Sequence, residues 1–104
     1  MKKTATLFSF RGRVTLDGQI RRAVLQIVGP PQRNGLGWFC WVRVEPLLQG
    51  WTKIYGIDAD QVEHLSARFL LLMLGGTELC DDDGRLDDEA YSILQKMEER
   101  YNYG

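Results

Sequence analysis

The first half of the chain alternates apolar and polar residues in the short period of a β-sheet. Residues 5–14 and 19–28 combine β-branched and aromatic residues with arginines, and the Asp17-Gly18 pair between them is typical of a hairpin turn. Residues 37–45 are the clearest strand, because aromatic and β-branched residues fill them. Residues 51–56 give a short fourth strand. The connections are too short for parallel crossovers, which predicts an antiparallel meander.

The segment between the second and third strands interrupts this pattern. Residues 29–35 include Pro30 and Pro31, which cannot donate to a sheet ladder, and a glycine stands at each end. We therefore predict a loop there.

The second half of the chain has helical spacing. Asp58 and Gln61 fit a capping box, and the apolar residues that follow recur three or four positions apart as far as a pair of glycines. Asp87 or Asp88 can cap a last helix that ends at about Tyr101. The pattern predicts two helices after the meander.

Length and composition predict one domain. A chain of 104 residues, of which 44% are hydrophobic, can bury a single core without disulfides or metal ions. We predict one α+β domain over residues 1–104, with a four-stranded antiparallel β-meander, a long helix packed on the sheet and a C-terminal helix.

No targeting or membrane-spanning segment is expected. Arg11 and Arg13 interrupt the apolar stretch near the start, and the longest apolar run, residues 69–74, is far below the roughly 20 residues of a membrane span. Cys40 and Cys80 stand in unrelated contexts and, with one histidine in the chain, offer no conventional zinc spacing. Two buried, reduced thiols are expected, which favours a cytoplasmic location.

Period two assigns the faces of the third and fourth strands. Cys40, Val42, Val44 and Ile54 are expected to pack against the long helix, and the residues that alternate with them to face the other way. The open face would then carry aromatic residues interleaved with cations: Trp41, Arg43, Trp51, Lys53 and Tyr55. Proteins that bind single-stranded nucleic acid use this combination. The alternatives are that the last helix, a second copy of the chain or a protein partner covers the face. The arginines of the first two strands stay unassigned, since one bulge would invert their parity.

Charge is distributed unevenly, although the formal net charge is −1. Residues 1–57 contain nine Lys or Arg and two Asp or Glu, so their net charge is +7. Residues 58–104 contain four Lys or Arg and twelve Asp or Glu, so their net charge is −8. An imbalance of this kind informs about partners rather than about fold.

The densest charge lies between the two predicted helices. Six carboxylates are the candidate partner-binding residues: Asp81, Asp82, Asp83, Asp87, Asp88 and Glu89. An EF-hand loop that starts at Asp81 would need Gly and Glu where Leu86 and Ser92 stand, so no metal site is predicted. This acidic segment, residues 81–89, is expected either to complement the dipole of the next helix or to meet a basic surface of a partner.

No catalytic constellation is recognised. His64, the only histidine, is expected on an exposed stripe of the long helix, where Asp60 lies four residues earlier and could pair with it. A plain solvated helix face is the competing interpretation. No nucleophile elbow, phosphate-binding loop, dinucleotide fingerprint or zinc-protease motif is present. We therefore expect no enzymatic activity and assign no catalytic residue or cofactor.

Two motifs in the middle of the chain form a familiar succession. An aromatic strand with a cysteine, residues 38–44, is followed by the Tyr-Gly-Ile-Asp-Ala-Asp-Gln segment, residues 55–61, and by an apolar helix. In this respect residues 20–75 resemble a family of small bacterial proteins known only as a domain of unknown function. The family pattern has valine where Ile57 stands and Ala-Leu at positions 62–63. The resemblance implies a β-meander followed by a helix in a bacterial cytoplasm, and it brings no catalytic residues.

Three functions are compatible with these features. We expect a small protein-binding module, in its sharper form an immunity or antitoxin-like protein that neutralises a basic toxin through the acidic segment, because such surfaces steer association. The alternatives are a single-stranded nucleic-acid binder that uses the basic aromatic face, and a homodimeric structural subunit joined through that face. The isoelectric point of about 5.8 weighs against nucleic acid.

Overall fold

The computed structural model describes residues 5–75 and 77–100, which form an antiparallel sheet and two helices. The elements in chain order are β1 (Ala5–Leu16), β2 (Gln19–Asn34), β3 (Gly37–Glu45), β4 (Trp51–Gly56), α1 (Ala59–Leu74), β5 (Leu79–Cys80) and α2 (Asp88–Glu99). The strands are ordered β4-β3-β2-β1-β5, and each neighbouring pair is antiparallel. The α+β class and the meander are confirmed, whereas β5 was not predicted.

The second strand, β2, is longer than the sequence predicted. It continues through residues 29–34, where we expected a loop. Its pairing with β3 is regular up to Val28, breaks, and resumes at Gln32. Pro30 and Pro31 lie in this irregularity, where no ladder hydrogen bond has to be donated. The prolines are therefore tolerated inside the strand.

The core lies between one face of the sheet and both helices. On β1, Phe8, Phe10 and Val14 are buried and alternate with exposed residues, as period two requires. α1 packs against β2, β3 and β4, and α2 packs against α1 and β1. Buried residues from these strands and both helices form one cluster. Both helices therefore occupy the same side of the sheet.

The predicted capping box starts α1. The Asp58 carboxylate accepts a hydrogen bond from the backbone N–H of Gln61 at 2.7 Å, and the Gln61 side-chain oxygen accepts one from the N–H of Ile57 at 2.7 Å. Gly75, with a φ of 56°, ends the helix in the left-handed conformation. Neither helix in the described ranges has the length and apolar content that crossing a membrane requires.

The chain between the helices returns to the far edge of the sheet. β5 pairs with β1 through Arg13 with Cys80 and Val14 with Leu79. Two residues are too few to show a period, so the sequence pattern could not reveal this strand. The predicted end of the last helix, Tyr101, lies outside the described residues.

Candidate functional site

One face of the sheet is left uncovered by both helices. On β3, Cys40 and Val42 are buried on the side of α1, whereas Trp41 and Arg43 point the other way and are partly exposed. The structure brings the five residues predicted for the open face together on this side: Trp41, Arg43, Trp51, Lys53 and Tyr55. The alternative in which the last helix covers this face is wrong, because α2 packs beside α1.

Aromatic rings pack against one another at one end of the open face. Phe39 and Trp41 meet edge to face with ring centroids 6.1 Å apart, and Phe39 lies 5.6 Å from Tyr55, its partner across β3 and β4. These neighbours leave Phe39 only 7% exposed although it points away from the core. The hydroxyl of Tyr55 accepts a hydrogen bond from the Asn34 amide at 3.3 Å. Ring contacts and this hydrogen bond therefore fix the position of the cluster on the sheet.

Cations lie over these rings. The Lys53 Nζ is 4.8 Å from the ring centroid of Phe39 and 4.9 Å from that of Trp41. The Arg43 guanidinium carbon is 5.7 Å from the Trp51 centroid. Contacts of this length are attractive cation–π interactions. The face thus presents aromatic rings and positive charge at the same place.

Arg43 also forms the one ion pair in the described part of the chain. Its Nη2 donates to the Glu45 carboxylate at 2.8 Å. This hydrogen bond, with the positive charge of Arg43, lowers the pKa of Glu45 below its ordinary value. The Arg43 Nε–H is buried and has no hydrogen-bond partner among the described residues. The Nε–H is therefore closed to a ligand, which can meet only the exposed part of the Arg43 side chain, 29% of it.

A shallow groove of about 460 Å³ opens on this face. Trp41 and Trp51 line it together with Gln26 and Val28 of β2. Gln26 is paired with Arg43, and Val28 with Trp41, so both share the open face. The sequence did not predict these two residues, because the pairing of β2 with β3 decides which β2 residues face the open side. The groove joins apolar walls to one amide, which can both donate and accept hydrogen bonds.

Three further arginines lie at the opposite end of the open face. Arg11, Arg13 and Arg22, called here the arginine corner, are exposed, and Arg13 is paired directly with Arg22 across β1 and β2. None of the three forms an ion pair with a described carboxylate. The strands carry five cations on this face: Arg11, Arg13, Arg22, Arg43 and Lys53. Glu45 is the one described carboxylate among the strand residues of the face.

The acidic segment is a turn followed by a helix cap. The Asp81 carboxylate accepts hydrogen bonds at 2.9 Å from the backbone N–H groups of Asp83 and Arg85. The Asp87 carboxylate caps α2 by accepting from the Ala90 N–H at 3.1 Å. The remaining carboxylates of the segment are exposed: Asp82, Asp83, Asp88 and Glu89. Two of the six candidate residues are therefore bonded to the local backbone.

The described residues contain no group of three or more His, Cys, Asp or Glu side chains that could hold a metal ion. The expectation that His64 is exposed on α1 is wrong, because the residue is only 4% exposed. Its Nδ1–H donates to the backbone carbonyl of Glu98 on α2. α2 packs over the side of α1 that carries His64 and removes the imidazole ring from solvent. His64 therefore links the two helices through its hydrogen bond.

The two cysteines are free thiols in different surroundings. Cys40 is buried, and burial raises the pKa of its thiol to about 11, with a further contribution from the charge of Glu63. Cys80 is half-buried beside Arg13. The expectation of two buried thiols is therefore confirmed for Cys40 alone.

Comparison of the chain with models of protein families, with curated protein sequences and with solved structures finds no match. The bacterial kinship suggested by residues 20–75 stays a prediction, and the arguments about function depend on the geometry of the surface.

Proposed function

We propose that the protein binds single-stranded nucleic acid on the open face of its sheet. The observation that carries the proposal is the combination, on one uncovered face, of the exposed Trp51 and the half-buried Trp41 with five cations and one carboxylate. Phosphates supply the charge that such a face attracts, and unpaired bases supply the flat apolar rings that stack on tryptophan.

A single strand suits this face better than a duplex. Bases of a duplex are stacked on one another, so their flat surfaces are not offered to Trp41 or Trp51. RNA-recognition domains likewise stack bases on aromatic residues of a four-stranded sheet, although their chain topology differs from the meander described above. The low isoelectric point does not oppose this proposal, because the helices that carry much of the acid charge lie on the other side of the sheet.

A homodimer joined through the open face is disfavoured by charge. Two copies placed face to face would bring ten cations together with two carboxylates, which follows from the five and one on each face. Like charges in an interface cost several kcal/mol unless they are neutralised, roughly enough to cancel a modest apolar contact. An anionic occupant would remove that cost.

Fluorescence anisotropy with a labelled single-stranded 12-mer tests the proposal. We expect a dissociation constant on the order of micromolar at low salt, rising steeply with salt concentration. Trp51→Ala should weaken binding by at least about fivefold, since stacking contributes roughly 1–3 kcal/mol per base. Leu72→Ala is the matched control, because Leu72 is exposed on α1, away from the open face. Absence of binding at low salt would overturn the proposal.

A second candidate function is protein binding through the acidic segment. Asp82, Asp83, Asp88 and Glu89 are exposed and form no ion pair with a described residue, so they are suited to meet a basic protein such as a toxin. This function would make the chain an immunity or antitoxin-like protein. A variant with these four carboxylates changed to amides should lose a basic partner that the wild type retains from a lysate of its own cell. Equal retention by both proteins would contradict this candidate.

A further inference from the structure

The two ends of the open face differ in chemistry, and this difference indicates the path that a bound nucleic-acid strand takes across the sheet. We infer that a single strand lies obliquely across the sheet, with one base in the groove beside Trp41 and Trp51 and with backbone phosphates in the arginine corner. The inference rests on the proposed function and adds the path and the length of the strand.

The groove has the properties of a base site. Its tryptophans offer ring surfaces, Val28 offers an apolar contact, and the Gln26 amide can hydrogen-bond to the edge of a base. Arg43 adjoins the groove, with its guanidinium carbon 5.7 Å from the Trp51 ring centroid and its side chain partly exposed. A phosphate next to the stacked base can accept from this guanidinium.

The arginine corner has the properties of a phosphate site. Arg13 and Arg22 are opposed across the strands, and Arg11 is two residues from Arg13, so three guanidinium groups share a small area. One guanidinium group can donate two hydrogen bonds at once to two oxygens of a phosphate. The strand residues nearest to the corner on this face, Thr15, Ile20 and Val24, offer no aromatic ring for stacking. This end therefore contacts the backbone of the strand and not its bases.

The register of the strands gives the length of the path. From Gln26 to Arg22 is four residues along β2, or about 13 Å, and from β4 to β1 is three strand spacings, or about 14 Å. The diagonal from the groove to the arginine corner is therefore roughly 20 Å. A nucleic-acid strand with ~3.4 Å or somewhat more between successive nucleotides covers this distance with about four to six nucleotides. A trinucleotide in the groove would not reach the corner.

This separation makes the inference testable with two oligonucleotide lengths. The double variant Arg13→Gln/Arg22→Gln should bind a trinucleotide as the wild type does, but should bind an octanucleotide roughly tenfold more weakly. The slope of log affinity against log salt for the octanucleotide should fall by about 1.4, since each lost phosphate contact on a single strand contributes about 0.7. Trp51→Leu should weaken both lengths by a similar factor and leave the slope unchanged.

The matched control is Arg68→Gln/Arg85→Gln, which removes the same charge from exposed positions on α1 and in the acidic segment. Equal weakening of both lengths by the Arg13 and Arg22 changes, or no weakening of either, would overturn the inference. So would a trinucleotide that leaves the tryptophan fluorescence unchanged at millimolar concentration. If the wild type binds no oligonucleotide of any length, the proposed function itself fails.

Discussion

Arg13 on β1 and Arg22 on β2 are direct cross-strand partners, and both side chains are exposed on the open face. Like charges directly opposite each other in an antiparallel pair lower stability, by a few tenths of a kcal/mol to about 1 kcal/mol. No described carboxylate forms an ion pair with either arginine. The pair therefore opposes folding slightly while it is well placed for an anion.

Replacing one of these arginines should stabilise the free protein. Arg22→Gln is expected to raise the free energy of unfolding by about 0.5 kcal/mol at low salt, because it removes the repulsion. The gain should shrink in ~0.5 M salt, which screens the interaction. Urea unfolding at both salt concentrations measures the effect, with Arg68→Gln as the control. A variant less stable than the wild type at low salt would contradict the prediction.

Asp81 and Asp82 should behave differently although they are neighbours. Asp81→Ala removes the acceptor of two backbone hydrogen bonds, and we expect a loss of about 1–2 kcal/mol of unfolding free energy. Asp82→Ala should change the stability by less than about 0.5 kcal/mol, because its side chain is exposed. Urea titration of both variants gives the comparison. Equal effects would show that Asp81 does not hold the turn.

Gly12 allows β5 to approach β1 closely. A Cβ at this position would lie 2.3 Å from the Cys80 carbonyl oxygen and 2.7 Å from the Phe10 ring. Gly12→Ala should therefore displace β5 and cost about 2–3 kcal/mol, as overpacking does. Gly35→Ala is the control, since no atom lies within 4 Å of the added methyl group. Thermal unfolding and hydrogen exchange of the β5 amides measure the difference, and equal stability of the two variants would contradict this account.

The buried thiol of Cys40 should be unreactive in the native protein. Burial raises its pKa from 9.0 to about 11, so the reactive thiolate is scarce at about pH 8. A raised pKa also means that the stability contributed by this thiol is present below pH 9.0 and is lost as the pH rises towards about 11. Ellman's reagent should modify Cys80 in the native protein, and Cys40 only after unfolding. Rapid modification of the Cys80→Ser variant without urea would contradict the prediction.

The faces of β3 and β4 could be predicted from the sequence because their pairing is regular. Each residue from Trp38 to Arg43 has a partner in β4 without a break, so alternation in the sequence is alternation in space. β1 has an irregularity between Thr6 and Phe8 that inverts its parity, and β2 inserts two extra residues between Val28 and Gln32, which leaves its parity unchanged. The sequence does not show where such breaks fall, so the faces of the residues that form the arginine corner and the β2 wall of the groove could not be assigned from it.

The position of α2 on α1 was the second feature that the sequence could not predict. The periodicity of α1 is compatible with a wide apolar stripe, but it does not tell which edge of that stripe a second helix covers. α2 packs over the edge that holds His64, and a residue expected in solvent became buried. The capping residues Asp58 and Gln61 depend only on local hydrogen bonds, so they were predicted with their partners.

The cations of the sheet and the carboxylates of the helices lie on opposite sides of the molecule. Such an arrangement gives the molecule a permanent dipole, and the field of a polyanion exerts a torque on a dipole before contact. Rotational diffusion of the protein near a phosphate chain would thus be biased towards collisions that arrive sheet first. The acidic back would in turn repel a second chain, which limits each molecule to one strand on one side.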